Sequence, residues 1–319
     1  MRIAFVLNGL TRDLEFLADD LIDLTNILKK KYNIDSDFYC HFWSNQGVYF
    51  YDNNPFEGTI ATQNPKGVEK ILKSLDPVLH KISKPIDMEP EFLKYYHHVK
   101  STNYELFNSL STKQRAGHRH SKWRMFCNKF SQLYGFESVM SLVKQSKISY
   151  DAVIRFRYDV LYDSEKNTDM LVKAIKTQTD NLIIQDMRKY SSTNKYSEQD
   201  MIYSVSSDTF DSNFEYGMGD VMFLSSLDNM INYSEDLYKK STEYLLKIDE
   251  SFHFVYPTEI FWLSAALSKN IPVTINIRLY NAIIRHKDEL SKNYKQNINA
   301  TVDSLSHFRY PIDTFEGSK

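Results

Sequence analysis

The sequence predicts an α/β fold in which helices flank a mostly parallel central sheet. Residues 3–7 form an apolar run without alternation, which is typical of a strand buried on both faces. An amphipathic helix pattern follows, and residues 37–43 have the composition of a second strand. Because a β-α-β unit joins parallel strands, this order favours a parallel sheet.

The first predicted helix begins after a polar turn, with Thr11 as its cap, and ends near Lys31. Its apolar stripe recurs at spacings of three and four residues and consists of Leu14, Leu17, Leu21, Leu24 and Leu28. Ligands of parallel sheets bind beyond the carboxyl ends of the strands. A candidate site is therefore expected at residues 8–12 and 41–45.

The rest of the chain continues the mixture of helices and strands. A long amphipathic helix is predicted from Trp123 to Val143, with Gly135 as a candidate break. The other predicted helices cover residues 67–75, 89–110, 227–246 and 258–267, and the other strands cover 77–83, 151–157, 182–184, 221–224 and 271–277. We expect one domain over residues 1–287, in halves 1–160 and 161–287, and a peripheral tail over 288–319.

The composition excludes several classes of protein. The net charge of the 319 residues is −2, which argues against a nucleic-acid partner. Only nine glycines are present, and the sequence lacks the glycine-rich motifs of dinucleotide-binding, P-loop and serine-hydrolase proteins. The two cysteines, Cys40 and Cys127, predict reduced thiols and a cytoplasmic location. No apolar run approaches the ~18 residues of a membrane span, so we expect a soluble protein.

A basic segment without acidic residues covers residues 106–136. Five of the eleven arginines lie between Arg115 and Arg157, and arginine binds phosphate through a planar fork that lysine lacks. The segment predicts either a local anion site or a solvated basic helix face. Its cations are Lys113, Arg115, Arg119, Lys122, Arg124 and Lys129.

Two arginines and an aspartate alternate at the end of the predicted strand over residues 151–157. Because side chains alternate along a strand, Arg155, Arg157 and Asp159 are expected on one side. Such charges are costly in a core and useful at a phosphate or metal site. An internal salt bridge that closes the sheet is the alternative interpretation.

Five motifs, taken in order, resemble the GT-A-fold glycosyltransferases of the capsular, lipopolysaccharide and large-virus glycan type. They are Asn-Gly-Leu-Thr-Arg at residues 8–12, His-Phe-Trp at 41–43, Tyr-Asp-Ala-Val-Ile-Arg-Phe-Arg-Tyr-Asp at 150–159, Gly-Asp-Val-Met-Phe at 219–223 and Pro-Thr-Glu-Ile-Phe at 257–261. Each motif is short, and together they span most of residues 1–285. The resemblance implies a Rossmann-type domain whose first half binds a UDP- or GDP-sugar and whose elaborated second half binds a glycan acceptor. A virus-encoded enzyme of the host cytoplasm would fit this resemblance.

The resemblance also implies roles for particular residues in donor binding. Asn8, Gly9, His41 and Trp43 would face the nucleoside. The candidates for binding the donor diphosphate are Arg12, Lys122, Arg124, Arg155 and Arg157. Where the family has a metal-binding Asp-x-Asp, this chain keeps only the second carboxylate, Asp159. Either Asp159 alone binds Mn²⁺ or Mg²⁺, or the arginines neutralise the diphosphate without a metal.

Two acidic residues are candidates for the base that an inverting enzyme needs to take the acceptor proton. They are Asp220 and Glu259. Asp220 is equally suited to binding the acceptor hydroxyl, and Glu259 also fits a plain helix start after Pro257. Tyrosines of the polar stretch 187–219 are candidates for covering the acceptor. The alternative function is a non-catalytic nucleotide- or glycan-binding protein on the same fold.

Overall fold

The computed structural model describes residues 1–9, 17–44, 65–84, 87, 89–111, 123–158, 160–162, 164–177, 182–185, 222–247, 262, 265–266, 269–271, 273–277 and 281–283. The strands within these ranges are β1 (Arg2–Gly9), β2 (Asp35–Trp43), β3 (Leu79–Ser83), β4 (Ala152–Arg157), β5 (Val160–Tyr162), β6 (Leu182–Gln185), β7 (Met222–Ser225), β8 (Val273–Ile277) and β9 (Asn281–Ile283). The helices are α1 (Leu17–Tyr32), α2 (Pro65–Leu75), α3 (Glu89–Thr102), α4 (Tyr104–Ser111), α5 (Trp123–Ser146), α6 (Ser164–Thr177), α7 (Leu227–Ser234) and α8 (Ser241–Lys247).

The central sheet has seven strands in the order β3-β2-β1-β4-β7-β6-β8. The strands β3, β2, β1 and β4 are parallel neighbours, and β6 pairs parallel with β8. Of the seven, β7 runs antiparallel to its neighbours β4 and β6. A separate antiparallel pair joins β5 to β9. The predicted α/β fold with a mostly parallel sheet flanked by helices is confirmed.

The sheet buries both faces, as the apolar run in β1 predicts. Ile3, Phe5 and Leu7 belong to one apolar cluster, which also contains side chains from α1, α2 and α6. Ala4 and Val6 belong to a second cluster on the other face, where α3 and α5 pack. Because neighbouring side chains of β1 point to opposite faces, alternate residues supply the two clusters. The face covered by α5 also carries the polar residues considered below.

Three predicted helices differ from the helices in the structure: two of them divide in two, and one lacks an expected break. The pattern over residues 89–110 divides into α3 and α4, because Asn103 caps α4 by accepting the backbone N–H of Leu106 at its Oδ1 over 3.0 Å. The pattern over 227–246 divides into α7 and α8, with Asp236 at a positive φ of 55° between them. The expected break near Gly135 is wrong, since α5 is continuous from Trp123 to Ser146.

Several sequence expectations fall partly or wholly outside the described residues. Thr11 and Leu14 precede the described part of α1, and the tail after residue 287 lies beyond the last described residue. Of the predicted helix 258–267, the described residues Trp262, Ala265 and Ala266 are helical and buried. Within the described ranges no helix combines the length and apolarity that crossing a membrane requires.

Candidate functional site

The strand order creates a switch point at the carboxyl edge of the sheet, between β1 and β4. From β1 the chain builds outward through β2 and β3 on one side, and then returns to add β4 on the other side of β1. In open α/β sheets, ligands bind in the crevice outside the carboxyl ends of the strands at such a point. Gly9 ends β1 there, and Arg157 ends β4.

Gly9 and Arg157 are the residues of this switch point whose backbone conformation and charge bear on ligand binding. Gly9 has a φ of +135°, a conformation that favours glycine, and a Cβ built on it would meet no atom of the described residues within 4 Å. The described residues therefore leave room for a ligand to approach the Gly9 backbone closely. Arg157 is half-buried and lies in register with Asn8, the residue before Gly9. The pairing therefore places an arginine on the strand next to the end of β1.

Four polar residues form one register row across the parallel strands. In the order β3, β2, β1 and β4, they are Lys81, His41, Asn8 and Arg157. Partners in register point to the same face of a sheet, and here that face is the one covered by α5. Lys81 Nζ donates a hydrogen bond to the Tyr134 hydroxyl on α5 over 3.1 Å, with the charge 5.0 Å from the ring centroid. We call these four residues the polar row.

Helix α5 lies directly on the middle of the polar row. Asn8 Nδ2 donates to the Gln132 carbonyl oxygen over 3.4 Å. One turn further along α5, a Cβ built on Gly135 would lie 3.1 Å from Asn8 Nδ2 and 3.1 Å from His41 Nδ1. Both distances are tighter than nine in ten real Cβ contacts, so Asn8 and His41 would have to shift slightly to admit a side chain. Glycine at this position therefore lets the helix rest on the strands.

The imidazole of His41 is enclosed in this packing. The residue has no exposed surface, and neither ring nitrogen has a hydrogen-bond partner among the described residues. Burial, with a smaller contribution from the charge of Lys81, lowers the pKa of His41 to about 3. The ring packs edge-on against Trp43, with the centroids 5.1 Å apart. His41 is therefore an uncharged part of the interior at neutral pH.

Arg155 on β4 holds the end of β1 through a buried hydrogen bond. It is 1% exposed, and its Nε donates to Asn8 Oδ1 over 3.0 Å. Its guanidinium carbon lies 4.7 Å from the ring centroid of Phe223 on β7 and 5.4 Å from that of Trp262. Asn8 and Trp43 are themselves 3% exposed, so contact between a nucleoside and Asn8, His41 or Trp43 stays a prediction.

The antiparallel direction of β7 brings a second part of the chain to the same edge. Met222, the first residue of β7, pairs with Phe156 near the carboxyl end of β4. The preceding strand β6 runs the other way and ends with Gln185 at the carboxyl edge. Both ends of the segment 186–221 are therefore attached at the edge where Gly9 and Arg157 lie. Asp220 precedes Met222 by two residues in the sequence.

Several predicted site residues lie outside the described residues. They are Arg12, Lys122, Asp159, Asp220 and Glu259, and Arg124 belongs to α5 with its side chain outside the description. Their roles stay predictions. Among the residues that the structure does describe, no three His, Cys, Asp or Glu side chains come together as a metal site.

The sequence reasoning missed Lys81, Tyr134 and the role of Gly135. Lys81 belongs to a predicted strand, but only the pairing of β3 with β2 places it in the polar row. Tyr134 lies in the long predicted helix, where the helix pattern indicates no polar partner for it. Gly135 carried a usable signal, because glycine inside a strongly apolar helix pattern marks either a break or a close contact.

No family model and no curated protein matches the chain. The galactosyltransferase LgtC, solved with donor and acceptor sugar analogues, is 11% identical with a TM-score of 0.44, and 98% of each chain is covered. Mouse xyloside xylosyltransferase 1 in its apo form is 9% identical with a TM-score of 0.39, covering 98% of this chain and 95% of that chain. The inositol-1-phosphate CTP transferase of T. maritima is 12% identical with a TM-score of 0.39, covering 94% and 96%. At these identities and TM-scores the likeness assigns no substrate and no residue role to this chain. Two of the three are glycosyltransferases, the class that the sequence motifs resemble.

Proposed function

We propose that this protein is a glycosyltransferase that moves a sugar from a nucleotide sugar to a hydroxyl group of a glycan acceptor. The observation that carries the proposal is the placement of Gly9 and Arg157 at the switch point between β1 and β4. A glycine whose backbone the described residues leave accessible, next to a strand that ends in a half-buried arginine, suits a diphosphate, which needs close approach and a fixed positive charge. The sequence motifs supply the reaction class.

Arg157 has the main role on the leaving-group side of this reaction. Glycosyl transfer releases a nucleoside diphosphate, and negative charge develops on it as the bond to the sugar breaks. A guanidinium held in place before the reaction stabilises that charge without reorganisation. We propose that Arg157 binds the diphosphate, together with Arg12, Lys122 and Arg124. Arg155 lies two residues earlier on β4, in the interior, and its role is to hold Asn8 through a hydrogen bond.

The donor is a UDP- or GDP-sugar in this proposal, with a hexosyl or pentosyl group to transfer. The nucleoside lies over the ends of β1 and β2, near Gly9 and Trp43. A divalent cation, Mn²⁺ or Mg²⁺, would be held by Asp159 and by diphosphate oxygens, and it would neutralise charge on the diphosphate. Asp159 follows Arg157, at the end of β4, by two residues.

The acceptor side belongs to the part of the chain that leaves the sheet at β6 and returns at β7. We propose that Asp220 takes the proton of the acceptor hydroxyl or binds that hydroxyl, with Glu259 as the other candidate base. Glu259 precedes Trp262, whose ring lies beside Arg155, by three positions in the sequence. The segment 186–221 is attached on both sides at the carboxyl edge, which supports a role for it in acceptor binding.

The proposal is tested by measuring the release of UDP or GDP from UDP- and GDP-linked sugars, with alkyl glycosides offered as acceptors. We expect turnover with at least one donor, and we expect Arg157→Ala to lower kcat/KM by about a hundredfold. Lys144→Ala is the matched control. Lys144 is an exposed lysine in the last turn of α5, where it pairs with Glu235 over 3.4 Å. Its substitution should leave turnover unchanged.

The same measurements separate the enzyme from a non-catalytic binding protein. A binding protein would gain thermal stability with UDP or GDP and release no diphosphate from any donor. An enzyme would lose turnover in Asp220→Asn while its Kd for the nucleoside diphosphate stayed close to that of the parent protein. Failure of UDP and GDP to change the Tm, together with no turnover, would contradict both the enzyme and a nucleotide-binding protein, whereas a glycan-binding protein would gain thermal stability with a glycan instead.

A further inference from the structure

A glycine in the middle of α5 has a cost that its position must offset. Glycine in a helix interior is less favourable than alanine, because a glycine loses more conformational freedom on folding. Gly135 is nevertheless the thirteenth residue of the 24-residue helix α5, and the helix is unbroken there. The residue is buried. The contacts of Gly135 in the interior therefore explain why this position holds a glycine, which has no side chain.

The atoms facing Gly135 belong to two strands and are held in place. A Cβ there would lie 3.1 Å from Asn8 Nδ2 and 3.1 Å from His41 Nδ1. Asn8 is fixed on both sides of its amide, since its Oδ1 accepts from Arg155 and its Nδ2 donates to the Gln132 carbonyl. The ring of His41 is enclosed and packs against Trp43. An alanine would therefore push against anchored groups rather than against the end of a flexible side chain.

A displacement of Asn8 would reach the switch point directly. Asn8 is bonded to Gly9 and lies in register with Arg157 across the β1–β4 ladder. The Arg155–Asn8 hydrogen bond joins the same two strands, and Arg155 lies in register with Val6, two pairs before Asn8 and Arg157. The last residues of β1 and β4 are thus set by contacts in which Asn8 takes part. Packed interiors transmit such shifts because they contain little free volume.

We propose that Gly135 is a positioning residue for donor binding, because its missing side chain lets α5 rest on Asn8 and His41 and thereby fixes where Gly9 and Arg157 meet the diphosphate. This inference rests on the proposed function. Gly135 contacts no substrate in this arrangement. It acts through Asn8, at one remove from the donor.

The test compares Gly135→Ala with Ser141→Ala, a substitution at an exposed position of the same helix. We expect Gly135→Ala to raise the Kd for UDP or GDP and the KM for the nucleotide sugar by about tenfold or more, since a small misplacement of binding groups has a large effect. The kcat at saturating donor should fall less than the KM rises. Ser141→Ala should keep the Kd, KM and kcat of the parent protein.

A double variant establishes that the effect passes through the proposed contact. Combining Gly135→Ala with His41→Ala removes one of the two close contacts and leaves the one with Asn8, so the Kd for UDP or GDP should fall only part of the way back toward that of His41→Ala alone. The same comparison in urea unfolding, without nucleotide, should show that the two substitutions are not additive. If Gly135→Ala alone fails to fold, the double variant is compared with His41→Ala, and an equal Kd in these two variants would contradict a role for the contact with Asn8.

The outcomes distinguish this inference from the function on which it rests. A parent protein that binds no nucleoside diphosphate and turns over no donor overturns both. A parent protein that binds and turns over a donor, with a folded Gly135→Ala variant that has the same Kd and KM, overturns the positioning role alone. Loss of Tm in Gly135→Ala without any change in Kd or KM would show that the glycine serves packing only, which also contradicts the proposal.

Discussion

Arg155 Nε donates a hydrogen bond to Asn8 Oδ1 over 3.0 Å, inside the sheet, where both residues are at most 3% exposed. The bond joins β4 to β1, the two strands that flank the switch point. A guanidinium is costly to bury, and here the faces of Phe223 and Trp262 lie close to it. The buried arginine thus holds the strand that ends in Gly9.

Replacement of Arg155 should destabilise the protein strongly. Arg155→Ala leaves a cavity and removes the donor for Asn8 Oδ1, so we expect a loss of about 3–5 kcal/mol in the free energy of unfolding. Arg155→Met keeps most of the volume and should cost less, about 1–3 kcal/mol for the lost hydrogen bond. Urea unfolding followed by circular dichroism measures both. Equal midpoints for Arg155→Ala and the parent protein would contradict the role given to this side chain.

A chain of hydroxyl groups at the other end of the sheet makes a second prediction. The Tyr39 and Tyr150 hydroxyls lie 2.7 Å apart, and the Tyr150 hydroxyl donates to Asp37 Oδ2 over 2.8 Å. Burial and these hydrogen bonds raise the pKa of Tyr150 far above its ordinary value. Tyr150→Phe should cost about 1–3 kcal/mol, because it leaves the fully buried Tyr39 hydroxyl without this partner.

Tyr104→Phe provides the control for the hydroxyl chain, since Tyr104 is 71% exposed. Its free energy of unfolding in urea should equal that of the parent protein. If Tyr150→Phe also unfolds at the parent midpoint, the hydroxyl chain adds nothing to stability.

His41 makes the stability of the fold depend on pH. Its pKa of about 3 in the folded protein lies below the ordinary value of 6.5, so the unfolded chain binds a proton that the folded chain rejects. The uncharged His41 therefore gives the folded state its full stability above pH 6.5. Between pH 6.5 and pH 3, the free energy of unfolding falls by about 1 kcal/mol for each pH unit. In His41→Leu this part of the slope should disappear, as measured by urea unfolding between pH 7 and pH 4.5. His98→Leu, at an exposed position on α3, should keep the slope of the parent protein.

The metal hypothesis predicts a difference between two thermal-shift experiments. If Asp159 holds Mn²⁺ on the diphosphate, adding Mn²⁺ to UDP or GDP should increase the Tm beyond the shift that the nucleotide alone gives. Asp159→Asn should remove the added shift and keep the part that depends on Arg157. A Tm with UDP or GDP that is the same in Mn²⁺ and in EDTA would support neutralisation by the arginines alone.

The strands and helices nearest the start of the chain were predictable because burial leaves a direct mark on the sequence. A parallel strand covered on both faces needs a continuous apolar run, and residues 3–7 supply one. The leucine stripe of α1 likewise reports the face that packs on the sheet, with Leu17, Leu21, Leu24 and Leu28 all buried. These signals are local, so one short window suffices to detect each.

The polar row could not be predicted, because it depends on register between strands that are far apart in the chain. Lys81, His41 and Asn8 meet only when β3, β2 and β1 pair with one particular offset. Gly135 shows the same limit, since its spacing suggests a break, and its contacts with Asn8 and His41 come from other elements. The alternation rule placed Arg155 and Arg157 on one side of β4, but only tertiary packing decides that Arg155 is the interior one.

Because β7 is antiparallel to its neighbours, the segment 186–221 is attached to the sheet between β6 and β7, apart from the ladders of β1 with β2 and β4. Because β6 and β7 are hydrogen-bonded neighbours, Ile184 facing Phe223, the segment 186–221 enters and leaves the sheet at nearly the same place. A segment attached in this way can change length and composition while the ladders of β1, β2 and β4 keep their register. In the proposed glycosyltransferase, acceptor preference could therefore be altered by substitutions in this segment without changes to the proposed donor site.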